Sequence, residues 1–199
     1  MAAGMGSYEW RFDSGRVCLD LVATGEPAPR GAERAERLDR AERLERWLVG
    51  SGLVPEGTAL VAVDAGWVGR FADLREGIDR LVRAEIEGRD AGGALERVNA
   101  LAAGAPPGIR AVRDEDGGLV RVLAGEPGCD ALLAAVARDA VDLLTDPAAR
   151  SRLRQCDGDS CRRMYLDTSR GRRRRWCSSE VCGNRERVAR HRRRAAALL

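Results

Sequence analysis

The chain has 199 residues and a mass of 21.6 kDa, which is one large domain or two small ones. Hydrophobic residues make up 44 % and aromatics only 4 %, so aliphatic and alanine side chains must supply most of the core. Lysine is absent, and the net charge of +3 divides into −7 over residues 1–150 (19 arginines, 26 acids) and +10 over residues 151–199 (15 arginines, five acids), an acidic body with a basic tail that points to nucleic acid or an anionic membrane surface and away from one evenly charged enzyme domain.

In chain order, Val17-Cys18-Leu19-Asp20-Leu21-Val22 is the apolar centre of a stretch from Tyr8 that reads as a short extended segment leading into a helix turn. Thr24 to Gly31, with Pro27 and Pro29, reads as loop. From Ala32 the pattern is helical, with Leu38, Ala41, Leu44 and Leu48 recurring every three or four residues. Glu33–Arg37, Glu36–Arg40, Asp39–Arg43 and Glu42–Arg46 form an i,i+4 ladder. At about 0.3–0.5 kcal/mol per pair, it marks a solvated face. Gly50-Ser51-Gly52 ends this helix.

A longer amphipathic helix carries Val68, Phe71, Leu74, Ile78, Leu81, Val82 and Ile86. Ala94 to Ala103 forms a further short helix. Ile109 to Val112 and Leu119 to Leu123 flank Asp114-Glu115-Asp116-Gly117-Gly118 as a β-hairpin. Leu132, Leu133, Val136, Ala140, Leu143 and Leu144 build another helix, ending near Pro147. The composition breaks near Arg150, which divides the chain into residues 1–150 and 151–199.

No apolar run approaches the roughly 20 residues of a membrane span, and Met1 to Trp10 lacks the basic and apolar regions of a signal peptide. A cytoplasmic location is expected, with no membrane partner and with thiols kept reduced.

Cys156 and Cys161 are separated by four residues, as are Cys177 and Cys182, and fifteen residues lie between the pairs. Two close pairs joined by such a loop suit one tetrahedral Zn²⁺, each pair giving two thiolates from one turn. A structural metal also supplies stability to a tail too poor in apolar groups for its own core. The same four thiols would serve a redox switch, since neighbouring arginines favour thiolates; simple core packing is the third reading. Cys18 and Cys129 stand singly beside apolar residues and read as core. His191, the only histidine, lies in the basic tail and reads as phosphate-facing or exposed rather than as a further ligand.

The run from Leu153 to Arg194 closely resembles the CGNR zinc finger, whose name-giving tetrapeptide stands here as Cys182-Gly183-Asn184-Arg185. Tyr165-Leu166-Asp167, Ser169-Arg170, the arginine run and Trp176-Cys177 fit the same pattern. The first 150 residues are similar to the ABATE domain that commonly precedes this finger in bacterial proteins. That likeness rests on Cys18-Leu19-Asp20-Leu21-Val22-Ala23-Thr24, then Trp47-Leu48 and Gly52-Leu53. The asparagine usual before the threonine is Ala23 here. The resemblance implies a stress-induced transcriptional regulator, and the fold class expected is α+β: a mainly helical N-terminal domain with a β-hairpin, then a small Cys₄ finger ending in a helix.

The finger's loop holds Arg170, Arg172, Arg173, Arg174 and Arg175. After Cys182, Asn184 is placed to cap a helix carrying Arg185, Arg187, Arg190 and Arg194, the last three on one face. Val188, Ala195 and Leu199 are expected on a docking side. Guanidinium forks suit phosphate, so these nine arginines are the candidate nucleic-acid contacts. Trp176 reads as packed beside the metal rather than stacked on a base. DNA is the expected polymer and RNA the alternative, with a small ligand or a protein at the N-terminal domain. A homodimer would suit paired half-sites. The competing class is a structural or protein-interaction module docking on an acidic partner. An enzyme is not expected, because the N-terminal domain has no phosphate loop, nucleophile motif or histidine.

Overall fold

The computed structural model describes residues 10–25, 38–159 and 161–196. The proposed loop from Glu26 to Gly31, the helix onset at Ala32, the pairs Glu33–Arg37 and Glu36–Arg40, and Leu199 lie outside the described residues.

The body is a helical cluster around α1 (Val17–Val22). Six residues are too few to hold a helix by propensity alone, and burial explains this one: Cys18, Leu19 and Leu21 are fully covered. Asp139 supplies what a cap would, accepting from the Cys18 backbone N–H at 2.9 Å and pairing with Arg16 at 2.8 Å. The expected extended segment is therefore a helix across its apolar centre, because its partner on all sides is the core rather than a neighbouring strand.

Helix α2 (Ala41–Gly50) begins later than expected, with Arg40 extended before it and Leu38 buried outside it. Asp39 and Arg43 pair at 3.3 Å, and Arg46 donates to the Glu42 carbonyl. Helix α3 (Ala65–Glu87) is capped by the Asp64 carboxylate and ended by Gly88 in the left-handed region, φ +63°. It lays Phe71, Leu74, Ile78 and Val82 against the core, with Phe71 edge-on to Trp47 at 6.1 Å. Helices α4 (Ala94–Ala102) and α5 (Cys129–Thr145) pack beside it, and α6 (Pro147–Arg150) follows a turn capped by Asp146. The hairpin forms as expected, β1 (Ile109–Arg113) against β2 (Leu119–Leu123), antiparallel with Ile109 opposite Leu123.

A second hairpin, β3 (Leu153–Gln155) with β4 (Met164–Leu166), opens the tail. Its apolar residues Leu153, Met164 and Leu166 belong to the same buried cluster as α1 and α3. The tail thus borrows the body's core. Its last helix, α7 (Asn184–Ala196), does the opposite: it follows a π-helical turn, Ser179–Gly183, and packs chiefly on that turn. Val188 is 43 % exposed and Ala195 is also exposed, so the expected docking side is not docked. Thirteen residues with so few apolar groups give no stripe wide enough to bury. Among the described residues, no helix is long and apolar enough to cross a membrane.

Candidate zinc centre and arginine surface

The β3–β4 hairpin carries the first cysteine pair at its tip. The Cys156 N–H donates to the Arg163 carbonyl at 2.9 Å, and the Cys161 N–H to that of Gly158, also at 2.9 Å. A Cβ on Gly158 would lie 3.6 Å from Cys156 Sγ and 3.4 Å from the Cys161 Cβ, ordinary contact distances that place this turn directly against the sulfurs. The second pair comes from the loop before α7. Ser178, not Asn184, is the cap there: its hydroxyl accepts from the Val181 N–H, while Asn184 has helical torsions. The π-helical turn moves the cap from the expected Asn184 to Ser178, six residues earlier, and places Cys182 inside the helical run.

All four sulfurs lie within 4.8 Å of one another. Cys161 and Cys177 are 3.8 Å apart and Cys177 and Cys182 3.6 Å. A tetrahedron with Zn–S bonds of about 2.3 Å has edges of about 3.8 Å, so the spacing fits. The proton chemistry fits too. Hydrogen bonding among the sulfurs pulls the Cys156 thiol down while it pushes the Cys177 and Cys161 thiols up. Four thiols this close cannot all ionise without a cation among them, and a dication meets that need. These residues hold one structural zinc, which ties the two turns together. His191 sits on exposed α7, outside the cysteine cluster.

Four thiolates on Zn²⁺ leave a formal −2. The guanidinium of Arg11 approaches Cys177 Sγ at 3.9 Å and pairs with Asp13. Arg163 reaches the same strap from the finger. Only 4 % exposed, it donates to the Ser14 hydroxyl at 2.8 Å and the Arg11 carbonyl at 2.6 Å, and pairs with Asp13 and Asp20. Ser14 closes the circuit, its N–H donating to Asp20 at 3.0 Å and its carbonyl accepting from the Leu166 N–H at 2.8 Å. Sequence reasoning missed Arg11 and Arg163 as parts of the site, because Arg11 meets Cys177 across 166 residues and Arg163 meets Ser14 across 149.

The arginine loop is rigidly built. Asp167, fully buried, accepts from the Ser169 N–H at 2.9 Å and the Arg174 N–H at 3.0 Å. Tyr165 donates its hydroxyl to the Arg174 carbonyl at 2.6 Å, and its ring lies 4.7 Å below the Arg174 guanidinium. That guanidinium donates to the carbonyls of Trp176 and Cys177. Arg174 is therefore spent inside the finger instead of facing a partner. Arg175 stacks over Trp176 at 5.4 Å and pairs with Asp157; Trp176 itself packs against the cysteine cluster. Arg187 donates to the Ser179 carbonyl, and Arg185 is exposed but also engaged. Arg170, Arg172, Arg173, Arg190 and Arg194 are exposed, and among the described residues nothing engages their guanidinium groups. Arg172 adopts φ +49°, an unusual left-handed turn for a side-chain-bearing residue, which swings the loop around its tip. An open concavity of about 500 Å³ runs along one flank of the loop, between Asp13 and Ser178–Glu180.

Burial pushes the Asp167 carboxyl up, but hydrogen bonds from Ser169 and Arg174 outweigh it and hold its pKa below the ordinary carboxylate range. Its stabilisation is thus fully present above the unfolded value of about 3.9 and lost as pH falls through the lower folded value. Replacing Asp167 by Asn will lower the melting temperature at neutral pH. Thermal melts at decreasing pH will show the gap to wild type constant down to about pH 5 and closing below about pH 4.

The fold and site together define a helical body carrying a thiolate zinc finger with a cationic outer surface. The chain belongs to the ABATE family, described as "Putative stress-induced transcription regulator", whose model matches residues 15–147. The CGNR zinc finger model matches residues 152–195. No curated protein matches the chain.

Proposed function

We propose that the protein is a DNA-binding transcriptional regulator rather than an enzyme, with the finger on DNA and the body sensing a ligand or protein partner. The observation that carries this reading is the unengaged group among the nine candidate arginines, Arg170, Arg172 and Arg173 on the zinc-held loop and Arg190 and Arg194 on α7. Guanidinium groups free of internal partners on a fixed frame are ready to pair with phosphates, and such contacts give affinity and register. Arg175, Arg185 and Arg187 flank that set, and Arg174 positions the loop. For the sensing body, support comes from a cavity of about 160 Å³ between α3, α4 and α5, with Leu74, Val98 and Leu133 as buried walls and charged residues at its rim.

A salt titration of DNA binding tests the reading. Affinity will fall steeply with salt, with a logarithmic slope of about −0.9 per phosphate contacted. Arg172→Ala and Arg173→Ala will each reduce that slope by about one. Arg174→Ala will instead speed amide exchange across residues 169–177. Affinity that is flat with salt overturns the proposal; equal binding to DNA and to an acidic polypeptide favours the interaction-module reading, and preference for single-stranded RNA favours RNA.

A further inference from the structure

Three helices of the body enclose a space that their own side chains do not fill. The cavity between α3, α4 and α5 holds about 160 Å³, and none of its lining residues belongs to the zinc site or the arginine loop. Its walls are aliphatic, with Leu74, Val98 and Leu133 at most 3 % exposed. An apolar cavity of about 150 Å³ takes a body the size of benzene. Gly77 completes the wall from the middle of α3. Glycine inside a helix is destabilising relative to alanine, and crowding does not demand it here. Among the described residues, a Cβ at this position would meet just Val98 Cγ2, at 3.5 Å, an ordinary contact. What the missing side chain leaves is room in the cavity.

The rim is charged and balanced. Arg70 and Asp73 come from α3, about one turn apart, and Arg97 comes from α4. Arg70 is taken up by Asp130. Asp73 and Arg97 are exposed, and among the described residues neither has a partner. One carboxylate and one guanidinium thus stand unpaired at the edge of an apolar cavity. Counting Arg70 and Asp130, the rim sums to zero. A ligand with an acid alone would set its charge near Asp73 without a counter-charge there, and an amine alone would do the same near Arg97. A head that carries both charges satisfies both residues. We propose that this cavity binds a free α-amino acid with an apolar side chain. The side chain enters between Leu74, Gly77, Val98 and Leu133, the ammonium meets Asp73 and the carboxylate meets Arg97. The assignment rests on the reading of the body as a sensor and names the class of its ligand.

Calorimetric titration of the zinc-loaded full chain with L-leucine and with L-phenylalanine tests it, beside the amine-free acids and acid-free amines of the same side chains. The expected result is a single site with a dissociation constant of about 1 mM or tighter for at least one of the two amino acids. Its acid and its amine bind at least about tenfold more weakly, each having lost a charged contact. Gly77→Leu, which fills the cavity, abolishes binding. Asp73→Asn weakens the amino acid without weakening the acid, and Arg97→Gln weakens the amino acid without weakening the amine. Both positions are exposed, and a general loss of structure does not produce that crossed pattern. No binding of either amino acid, an acid or amine that binds as tightly, or variants that weaken all three alike overturns the proposal. DNA affinity judges the sensing role separately. Amino-acid binding that leaves it unchanged overturns that role and keeps the site; a different small molecule that shifts it, with no amino-acid binding, overturns the site and keeps the role.

Discussion

Stripping the metal, or replacing Cys177 by Ser, will unfold the finger and also destabilise the helical body. The first half follows from the site. Structural zinc contributes about 10–16 kcal/mol of apparent binding free energy in small fingers, and the cysteine cluster has little beside the metal to hold it: Tyr165 is the one large buried side chain packed there, with Trp176 and Val181 partly buried at its edge. The second half follows from the shared core. Leu153, Met164 and Leu166 are buried among residues of α1 and α3, and each such side chain is worth about 1.5–3 kcal/mol when covered. Losing their order removes several kcal/mol from the body, which is roughly 10 °C in melting temperature for a domain of this size. Amide exchange after chelation will therefore show lost protection in the zinc turns and in α1. Protection in α1 that survives chelation, with an unshifted melt of the body, would show that the two parts fold independently.

Replacing Arg163 by Met will cost about 3–5 kcal/mol, the usual effect of removing one partner of a buried ion pair. Among the described residues, Arg163 is the one finger side chain that reaches Ser14, Asp13 and Asp20 together, and its loss leaves the buried Asp20 carboxylate without that cation. Burial already raises the Asp20 carboxyl above its ordinary value, against the pull of Ser14 and Arg163. Without the guanidinium it rises further. The folded variant then takes up a proton that the unfolded chain releases, so its deficit is largest at neutral pH and shrinks as pH falls toward about 4. Adding Asp20→Asn to the same chain will recover part of the loss at neutral pH. Urea melts of the single and double variants give both numbers, with zinc content unchanged in each; a single-variant loss below about 1 kcal/mol would mean that water replaces the guanidinium.

Much of the body was legible in the sequence because its signals are local. The long spacing of Phe71, Leu74, Ile78 and Val82 reports one buried helix face, and the Asp114–Gly118 turn between β-rich runs reports a hairpin. Residues 17–22 misled for the same reason. Six apolar-rich residues have no period long enough to separate helix from strand, and the tertiary enclosure made the choice. The last helix starts at Asn184 as its sequence suggests, but Ser178 and Asn184 are both good caps in sequence, and the cap falls to Ser178 because a π-helical turn precedes α7.

The division of charge and the double cysteine pair were determined by the sequence alone. Spacing and residue type point to a thiolate zinc site, because a tetrahedral ion needs two turns of the right length, and the fold brings the four sulfurs within 4.8 Å of one another. Which arginines face outward was decided by the tertiary structure. Arg173 and Arg174 are neighbours of identical chemistry, yet one projects into solvent and the other is drawn over Tyr165 onto the carbonyls beside Cys177. The attachment of the finger was decided there too, by Arg11 and Arg163 across the whole length of the chain. Local pattern carries no trace of such pairings, since their energy comes from burying and pairing charges that meet only when the chain has folded.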